Sequence, residues 1–461
     1  MNIRYYSTNR NLDSVADLVP FKGTVTFKEA LLQGQAPDEG LFMPFPVPAL
    51  AMDDIMALKG LPYTAAAELV AGAFLDEEIH TDILKGIIAE AYNFPVPIER
   101  VKDRLYILRL DQGPTASFKD FAARIMARLM SHFRRPGERL NVLVATSGDT
   151  GSAVGEAFKG VAGIDVHILY PREEVSDMQK KQLDTIGDNV RAISIEGKFD
   201  DCQNLVKQAF SDPALAKYNL TSANSINFGR ILPQIVYYVY CYAQLAVRGE
   251  EIVYCVPSGN FGDALGCEFA GRMGLPVKKL LMPTNANDEF PRFLKTGVYE
   301  KISPSRASIS NAMNVGNPSN LARFFDLYGG TVDRTGKVHK IPDLDEMKRR
   351  IESVSVSDQQ TRETIKKVYR DFHVILEPHG AVGWYGLESY LDRSADPALC
   401  VCLETAHPAK FPGELNDLLG FAPALPNSMK ELAKRTGEPF FLSSGYPEFK
   451  RFLERHLMIN E

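Results

Sequence analysis

A glycine-containing loop directly after an apolar run is the first feature of the sequence that could do chemistry. The run Ile252–Val256 leads into Ser258–Asp263 (SGNFGD), and a helical pattern follows at once. Gly259 and Gly262 allow close approach to the backbone, and the loop N–H groups together with a helix N-terminus form an anion site suited to a phosphate. The loop lacks the lysine of a Walker A motif and the spacing G-x-G-x-x-G. A phosphate site and an ordinary glycine turn both fit this pattern.

A second loop of the same kind is Thr146–Gly151 (TSGDTG), which lies between a strand-like run and a helical pattern. Its hydroxyls and its glycine N–H groups form a cradle for a carboxylate. Asp149 is unusual there, because an acidic residue in an anion cradle repels the ligand. An alternative interpretation of Asp149 is a helix N-cap. Open α/β sheets bind ligands at the carboxyl ends of their strands, so two such loops in one chain indicate a shared site.

Lys119 is the candidate nucleophile. It lies in PTASFKD, at the start of an apolar helical pattern, where the helix dipole disfavours a cation. In isolation, a solvated surface lysine is the simpler interpretation. A lysine held among apolar neighbours would instead have a lowered pKa and an uncharged amine, which condensation with an aldehyde requires.

Two further segments carry candidate polar side chains. Thr405 follows a strand-like run and could point its hydroxyl into a cleft, whereas His407, just before a proline, is more typical of a structural hydrogen-bonding residue. The loop Ser222–Arg230 combines amides, hydroxyls and one guanidinium. It fits a clamp for a second anion, and equally a polar loop with a solvated arginine.

Strand and helix patterns alternate along most of the chain, which predicts βαβ units around parallel sheets. We expect an α/β fold with two α/β domains whose central sheets are parallel or mostly parallel. The predicted division is a mainly helical region at 1–95, a larger domain at 96–139 and 236–461 with a loop-rich insertion at 285–342, and a smaller domain at 140–235.

Composition excludes several classes of protein. The 461 residues are 45% hydrophobic and 24% charged, with a formal net charge of −6, which is ordinary globular composition and not that of a disordered chain or a nucleic-acid binder. The six cysteines are too scattered for a disulfide scaffold. Cys400 and Cys402 are interpreted as buried strand residues, so we predict no metal site. The sequence has no signal-peptide pattern and no membrane span, so we expect a cytoplasmic protein without a membrane partner.

The motifs, in their order along nearly the whole chain, resemble one family: the threonine synthases, which are pyridoxal-phosphate enzymes of the tryptophan-synthase β-like fold (fold type II). The segments that carry the resemblance are YYSTNR near the start, FKEALLQGQAPDEGLFMP at 27–44, PTASFKD at 114–120, TSGDTG at 146–151, NSINFGR at 224–230, PSGNFGD at 257–263 and ETAHPAKF at 404–411.

The resemblance implies a role for each matching residue. Lys119 corresponds to the catalytic lysine that holds pyridoxal 5'-phosphate covalently, and Thr405 to the residue that faces the pyridine nitrogen. The residues implied in cofactor binding are Lys119, Asp149, Gly259, Asn260, Phe261, Gly262, Asp263 and Thr405. The residues implied in substrate binding are Thr146, Ser147, Gly148, Thr150, Gly151, Asn227 and Arg230. As a carboxylate, Asp149 can only accept, so a contact with the ring oxygen needs a protonated hydroxyl or a shared proton.

The implied reaction converts O-phospho-L-homoserine and water to L-threonine and phosphate. O-phospho-L-homoserine is the expected small-molecule partner. We expect a monomer or homodimer that binds neither nucleic acid nor membrane. Two alternatives stay open at this point. One is a phospho-lyase on the same scaffold that releases a keto acid, and the other is a non-catalytic protein that binds a phosphorylated metabolite.

Overall fold

The structure is a computed structural model that describes residues 2–13, 19–394 and 397–457. Two central sheets organise these residues. The strands of the larger sheet, in spatial order, are Ile351–Glu352, Val277–Leu281, Ile252–Cys255, Leu399–Glu404, Leu105–Arg109 and Ile98–Lys102. Ile98–Lys102 pairs antiparallel with its neighbour, and the other pairs are parallel, which confirms the predicted mostly parallel sheet.

The smaller sheet is parallel at each pairing. Its strands, in spatial order, are Phe440–Ser443, Val190–Glu196, Ile164–Pro171, Leu140–Ala145 and Leu220–Ser222. Leu140–Ala145 is buried along its whole length, because helices cover both faces of a parallel sheet. This burial explains why its sequence, LNVLVA, is an almost continuous apolar run.

Helices cover both sheets and form most of the N-terminal region. The α-helices are Phe27–Gln33, Met52–Ala57, Tyr63–Leu75, Thr81–Ala91, Lys119–Phe133, Asp149–Phe158, Asp177–Asp184, Phe199–Ser211, Leu232–Leu245, Gly262–Arg272, Glu289–Thr296, Leu321–Leu327, Leu344–Arg350, Asp358–Phe372, Pro378–Ser394, Pro412–Leu419, Asn427–Ala433 and Tyr446–His456. Short 3₁₀ turns span Pro213–Tyr218, Phe228–Arg230, Asn311–Met313 and Pro408–Lys410. Two small antiparallel ladders pair Arg4–Ser7 with Phe42–Phe45, and Thr331–Val332 with Val338–Lys340.

The helix Leu232–Leu245 is the centre of the core. Most of its residues are buried, and it packs against Tyr63–Leu75, Lys119–Phe133 and Gly262–Arg272. A helix that is apolar on nearly every side can be stable only when other elements surround it. It therefore fixes the helix that begins at Lys119 relative to the helix that follows the loop 258–263.

A buried arginine ties three separate segments together beside these helices. The guanidinium of Arg323 donates to the carbonyl oxygens of Phe42, Ser225 and Ile226 and to Asn320 Oδ1. Its side chain is fully buried, and desolvation lowers its pKa to about 9. Because all three guanidinium nitrogens donate to acceptors, the charge is tolerated. The N-terminal region, the loop 222–230 and the helix Leu321–Leu327 are thus joined at one point.

The structure differs from the predicted domain division at the end of the chain. The strand Phe440–Ser443 pairs with Val190–Glu196, and the helix Tyr446–His456 buries Phe449 and Phe452 in the core of the smaller sheet. These residues belong with the smaller sheet, although the prediction placed everything up to 461 in the larger domain. Within the described residues, no helix is long and apolar enough to span a membrane.

Candidate active site

The carboxyl ends of both sheets open into one cavity of about 940 Å³. The loops 146–151 and 258–263 enter it from the smaller and the larger sheet respectively, as expected for ligand sites in open α/β sheets. The predicted residues that line the cavity are Lys119, Thr146, Ser147, Asp149, Thr150, Arg230, Gly259, Asn260, Phe261, Gly262, Asp263 and Thr405.

Three residues expected to contact substrate lie behind the cavity wall. The amide of Asn227 donates to the carbonyl oxygens of Leu31 and Ser222, and its Oδ1 accepts from the Gly229 N–H. Gly148 has φ +127°, and a Cβ there would lie 2.5 Å from the Gln179 carboxamide carbon. A Cβ on Gly151 would lie 2.5 Å from the Thr146 methyl group. These three residues shape the site and do not line it.

The loop 258–263 presents backbone donors to the cavity. In the described residues, the N–H groups of residues 259 to 264 have no acceptor. Phe261 adopts φ +61°, and the helix Gly262–Arg272 begins next to it. A run of unpaired N–H groups at a helix N-terminus is the arrangement that proteins use to hold a phosphate.

The side chain of Asn260 fastens this loop to its surroundings. Its amide donates to Ser225 Oγ at 2.7 Å, and its Oδ1 accepts from the Ser319 N–H at 2.7 Å. The 3₁₀ turn Asn311–Met313 lies directly on the loop, because a Cβ on Gly259 would be 2.8 Å from Met313 Cα. The glycine is thus required by a close approach between two backbones.

Asp263 lies in the first turn of the helix after this loop. Its Oδ1 accepts from the hydroxyl groups of Tyr237 and Tyr238, the latter at 2.7 Å. Burial raises the pKa of Asp263 to about 6, while the two tyrosine hydrogen bonds and Lys119 oppose the rise. This carboxyl therefore takes up a proton more readily than an ordinary aspartate does.

The loop 146–151 uses part of its donors internally. Thr146 Oγ1 accepts from the N–H groups of Gly148 at 3.0 Å and Gly151 at 2.8 Å. The N–H groups of Ser147, Asp149 and Thr150 have no acceptor in the described part of the chain. The loop therefore keeps donors for an anion, at the start of the helix Asp149–Phe158.

Asp149 has a buried cation as its partner. Lys410 Nζ and Gln179 Nε2 each lie 2.9 Å from Asp149 Oδ1. Burial by itself would raise the pKa of Asp149, but the positive charges of Lys410 and Lys119 and the two hydrogen bonds outweigh it and hold this pKa well below its usual range. Asp149 is thus an ionised carboxylate, and Lys410 removes the charge conflict noted in the sequence.

Lys119 is the first residue of the helix Lys119–Phe133 and reaches the cavity. Desolvation lowers its pKa to about 8, with Arg230 and Lys410 acting in the same direction and Asp149 and Asp263 opposing. No carboxylate oxygen of the described residues lies within 4.0 Å of its amine. The uncharged amine that a nucleophile requires is therefore far more populated near neutral pH than in an ordinary lysine.

Thr405 and Lys119 are held together by the backbone. Thr405 follows the strand Leu399–Glu404, and its carbonyl oxygen accepts from the Phe118 N–H at 2.9 Å. Thr405 is one of the residues that line the cavity. His407 Nδ1 accepts from the Ala409 N–H at 3.1 Å, which is the structural role considered for it.

Arg230 is a buried cation on the cavity wall. Its Nη1 donates to the Ala223 carbonyl oxygen at 3.1 Å, and its Nε has no partner in the described residues. Desolvation lowers its pKa to about 10, so it keeps its charge at neutral pH. A buried guanidinium with an unused donor favours an anionic ligand.

The prediction missed two residues of this site, Lys410 and Gln179. Lys410 lies inside the quoted segment ETAHPAKF, and the isolated acidic charge of Asp149 was the signal that a cation was needed nearby. Gln179 could be found only in three dimensions, since it also accepts in the capping box of Ser176. The described residues contain no group of three or more His, Cys, Asp or Glu side chains placed to hold a metal ion.

Comparison with known proteins agrees with this geometry. Residues 92–404 match the model of the pyridoxal-phosphate dependent enzymes, residues 4–92 that of the threonine synthase N terminus, and residues 380–440 that of the threonine synthase C-terminal region. Threonine synthase from Haemophilus influenzae is 39% identical over 88% of this chain and 91% of its own length. Threonine synthase from Escherichia coli is 38% identical over 95% of this chain and 97% of its own length.

The solved structure of pyridoxal-phosphate-bound threonine synthase from Brucella melitensis superposes with a TM-score of 0.89, at 33% identity and 99% coverage of both chains. The chain therefore has the fold type II architecture of the pyridoxal-phosphate enzymes. Within that class, the chain belongs to the threonine synthase family.

Proposed function

We propose that this protein converts O-phospho-L-homoserine and water to L-threonine and phosphate. The observation that carries the proposal is one cavity that combines a lysine of lowered pKa with three separate sets of unpaired N–H donors, at residues 259–264, at residues 147–150 and on Arg230. A cofactor phosphate, a substrate carboxylate and a substrate phosphate account for these three sites. An amino-acid dehydratase without a phosphorylated substrate needs only two.

The residues fit pyridoxal phosphate in three respects. The unpaired N–H groups of residues 259–264 suit its phosphate, the amine of Lys119 suits its aldehyde, and the hydroxyl of Thr405 suits a neutral hydrogen bond to its ring nitrogen. When bound, pyridoxal phosphate supplies an electron sink for the electrons released at the substrate carbons.

The chain's own residues then divide the work on the substrate. The free N–H groups of Ser147, Asp149 and Thr150 orient the carboxylate, and the hydroxyls of Ser147 and Thr150 stand beside it. The free amine of Lys119 would take the proton from the α-carbon of the substrate. Its lowered pKa is close to the operating pH, which is the condition for an efficient base.

Arg230 is assigned to the γ-phosphate of the substrate. Its charge lies beside Lys119, so a phosphate bound there is within the same cleft as the α-carbon. A proton leaves the β-carbon as phosphate departs from the γ-carbon, the γ-carbon gains a proton to become the methyl group, and water adds at the β-carbon, so that phosphohomoserine plus water becomes threonine plus phosphate. The guanidinium stabilises the negative charge that develops on the departing group.

The test is to incubate the pure protein with O-phospho-L-homoserine and to assay threonine, keto acid and phosphate together. Equal amounts of threonine and phosphate support the proposal. Phosphate with keto acid and no threonine would show a phospho-lyase, and no phosphate release would contradict both activities.

The Arg230→Ala variant tests the third anion site. We expect a loss of about 1.5–3 kcal/mol in binding of phosphohomoserine, because a charge-assisted contact to phosphate is removed. Binding of L-homoserine, which lacks the phosphate, should change far less. Equal losses for the two ligands, measured by the cofactor's absorbance change on titration, would exclude Arg230 from the phosphate site.

A cytoplasmic location and a monomer or homodimer complete the proposal. The six cysteines are buried and form no disulfide bond within the described residues, which suits a reducing compartment. Light scattering after size-exclusion chromatography would measure the oligomeric state.

A further inference from the structure

Lys410 is a second lysine at the site, and its setting differs from that of Lys119. It ends the 3₁₀ turn Pro408–Lys410, after the last strand of the larger sheet, and its side chain is fully buried. From there it reaches across to Asp149, which begins a helix of the smaller sheet. The ion pair therefore joins the two sides of the cleft.

The geometry shows what Asp149 is prevented from doing. Asp149 is near enough to Lys119 to influence its charge, yet its Oδ1 is bonded to Lys410 and Gln179, and the Lys119 amine has no carboxylate oxygen of the described chain within 4.0 Å. An unpaired Asp149 in this cleft would have Lys119 as its nearest alternative cation. The charged groups that face Lys119 are Asp149, Arg230, Lys410 and Asp263.

We propose that Lys410 is a positioning residue that keeps the carboxylate of Asp149 in its own ion pair and so leaves the amine of Lys119 without a counter-ion and free to bind the cofactor. The inference rests on the role of Lys119 in the proposed function. Lys410 itself is not the reactive amine, because its side chain is fully buried and bonded to Asp149.

Lys410 and Gln179 both donate to the same oxygen of Asp149, Oδ1. Oδ2 of Asp149 has no hydrogen bond in the described residues, so this oxygen can accept a bond from a ligand in the cavity. Lys410 thus sets both the charge and the direction of Asp149. A neutral residue in its place would leave Asp149 free to turn towards Lys119.

The experiment uses the full chain, stripped of cofactor with hydroxylamine and recharged with pyridoxal phosphate at a series of pH values. Borohydride trapping and peptide mapping then measure the fraction attached to Lys119. We expect Lys410→Met to move the half-maximal pH up by about one unit, a tenfold loss of attachment at lower pH. Lys410→Arg, the matched control that keeps the charge, should behave like the unmodified protein.

A second pair of variants separates this role from direct repulsion between the two lysines. If Lys410 acts through Asp149, Lys410→Met should have little effect in a chain that already carries Asp149→Asn. A tenfold shift in that background would overturn the proposal, because only direct repulsion would remain. This comparison leaves no unpaired Asp149, so it holds even where Lys410→Met alone does not fold.

The outcome also distinguishes failure of this inference from failure of the proposed function. Cofactor trapped on a lysine other than Lys119 in the unmodified protein would contradict the proposed function itself. Cofactor trapped on Lys119 with an unchanged pH profile in Lys410→Met would contradict the role of Lys410 alone.

Discussion

Asp149 and Asp263 occupy matching positions on opposite sides of the cleft, yet their pKa values are shifted in opposite directions. Each lies in the first turn of a helix that follows a strand and a glycine-containing loop. The Oδ1 of Asp149 accepts from Lys410 and Gln179, whereas that of Asp263 accepts from two tyrosine hydroxyls. The pKa of Asp149 lies well below its usual range, and burial raises that of Asp263 to about 6.

The comparison shows that a helix N-terminus does not decide the charge of a buried carboxyl. Both aspartates have that dipole, which favours the ionised form. The buried ammonium of Lys410 decides the charge of Asp149, and the absence of a directly bonded cation in the described surroundings of Asp263 leaves desolvation dominant. A carboxyl that readily becomes neutral is the more compatible neighbour for a phosphate at residues 259–264.

The largest effect on turnover is expected for Lys119→Ala. Lys119 lies in the cavity between the loops 146–151 and 258–263, and its amine is the proposed attachment point of the cofactor. Turnover should fall to background and borohydride should no longer attach the cofactor, while circular dichroism shows an unchanged fold. Cofactor trapped on another lysine would show that the two loops do not serve one nucleophile.

The Asp149→Asn variant should lose about 3–5 kcal/mol in free energy of unfolding, since it leaves the buried ammonium of Lys410 without its partner. Urea unfolding measures this loss, and the double variant Asp149→Asn/Lys410→Met should recover most of it. A loss below 1 kcal/mol in the single variant would mean that Asp149 and Lys410 are not a strongly coupled pair.

Asp263 should make the free energy of unfolding decrease as pH rises. Its folded pKa of about 6 lies above the usual 3.8, so its contribution is full below pH 4 and is lost as pH rises through 6. Asp263→Asn removes this titration and keeps an oxygen for the tyrosines. Its stability relative to the unmodified protein should therefore rise by up to about 3 kcal/mol between pH 4 and pH 7.5. Urea unfolding at the two pH values measures the difference, and a constant difference would contradict the raised pKa.

The smallest effects are expected at the two glycines of the loop 258–263. A Cβ at Gly259 would meet Met313 Cα at 2.8 Å, whereas one at Gly262 would make its nearest contacts at 3.5 Å. Gly259→Ala should weaken cofactor binding about tenfold, or 1.4 kcal/mol, because the loop must move. Gly262→Ala should weaken it less. Equal cofactor affinities for Gly259→Ala and the unmodified protein, measured by equilibrium dialysis, would show that the loop can shift without losing its N–H donors.

Much of the site followed from patterns that are local in the sequence. Strand, glycine loop and helix start follow one another directly at 140–158 and 252–272, so both loops were predictable from their own residues. The hydrogen-bonding partners of Asp149 were not predictable, because Lys410 and Gln179 approach it only in the folded structure, where the two sheets face each other. The side-chain partners of Asn227 were not predictable for a related reason, since Leu31 is distant in the sequence and Ser222 meets Asn227 only through the turn between them.

The domain boundary at the end of the chain was harder to predict. Phe440–Ser443 is short and largely exposed, so neither length nor alternation marks which sheet it joins. Its position follows from packing of Phe449 and Phe452 against the smaller sheet, a long-range contact without a local signature.

The pairing of Phe440–Ser443 with Val190–Glu196 also determines when the smaller sheet can be completed during synthesis. The ribosome makes Val190–Glu196 long before its neighbour, so a nascent chain presents an unpaired strand edge while four of the six strands of the larger sheet are still being translated. The apolar residues that Phe449 and Phe452 later cover stay exposed for the same interval. The smaller sheet is thus completed late in translation, and until then this unpaired strand edge is open to aggregation and to chaperones.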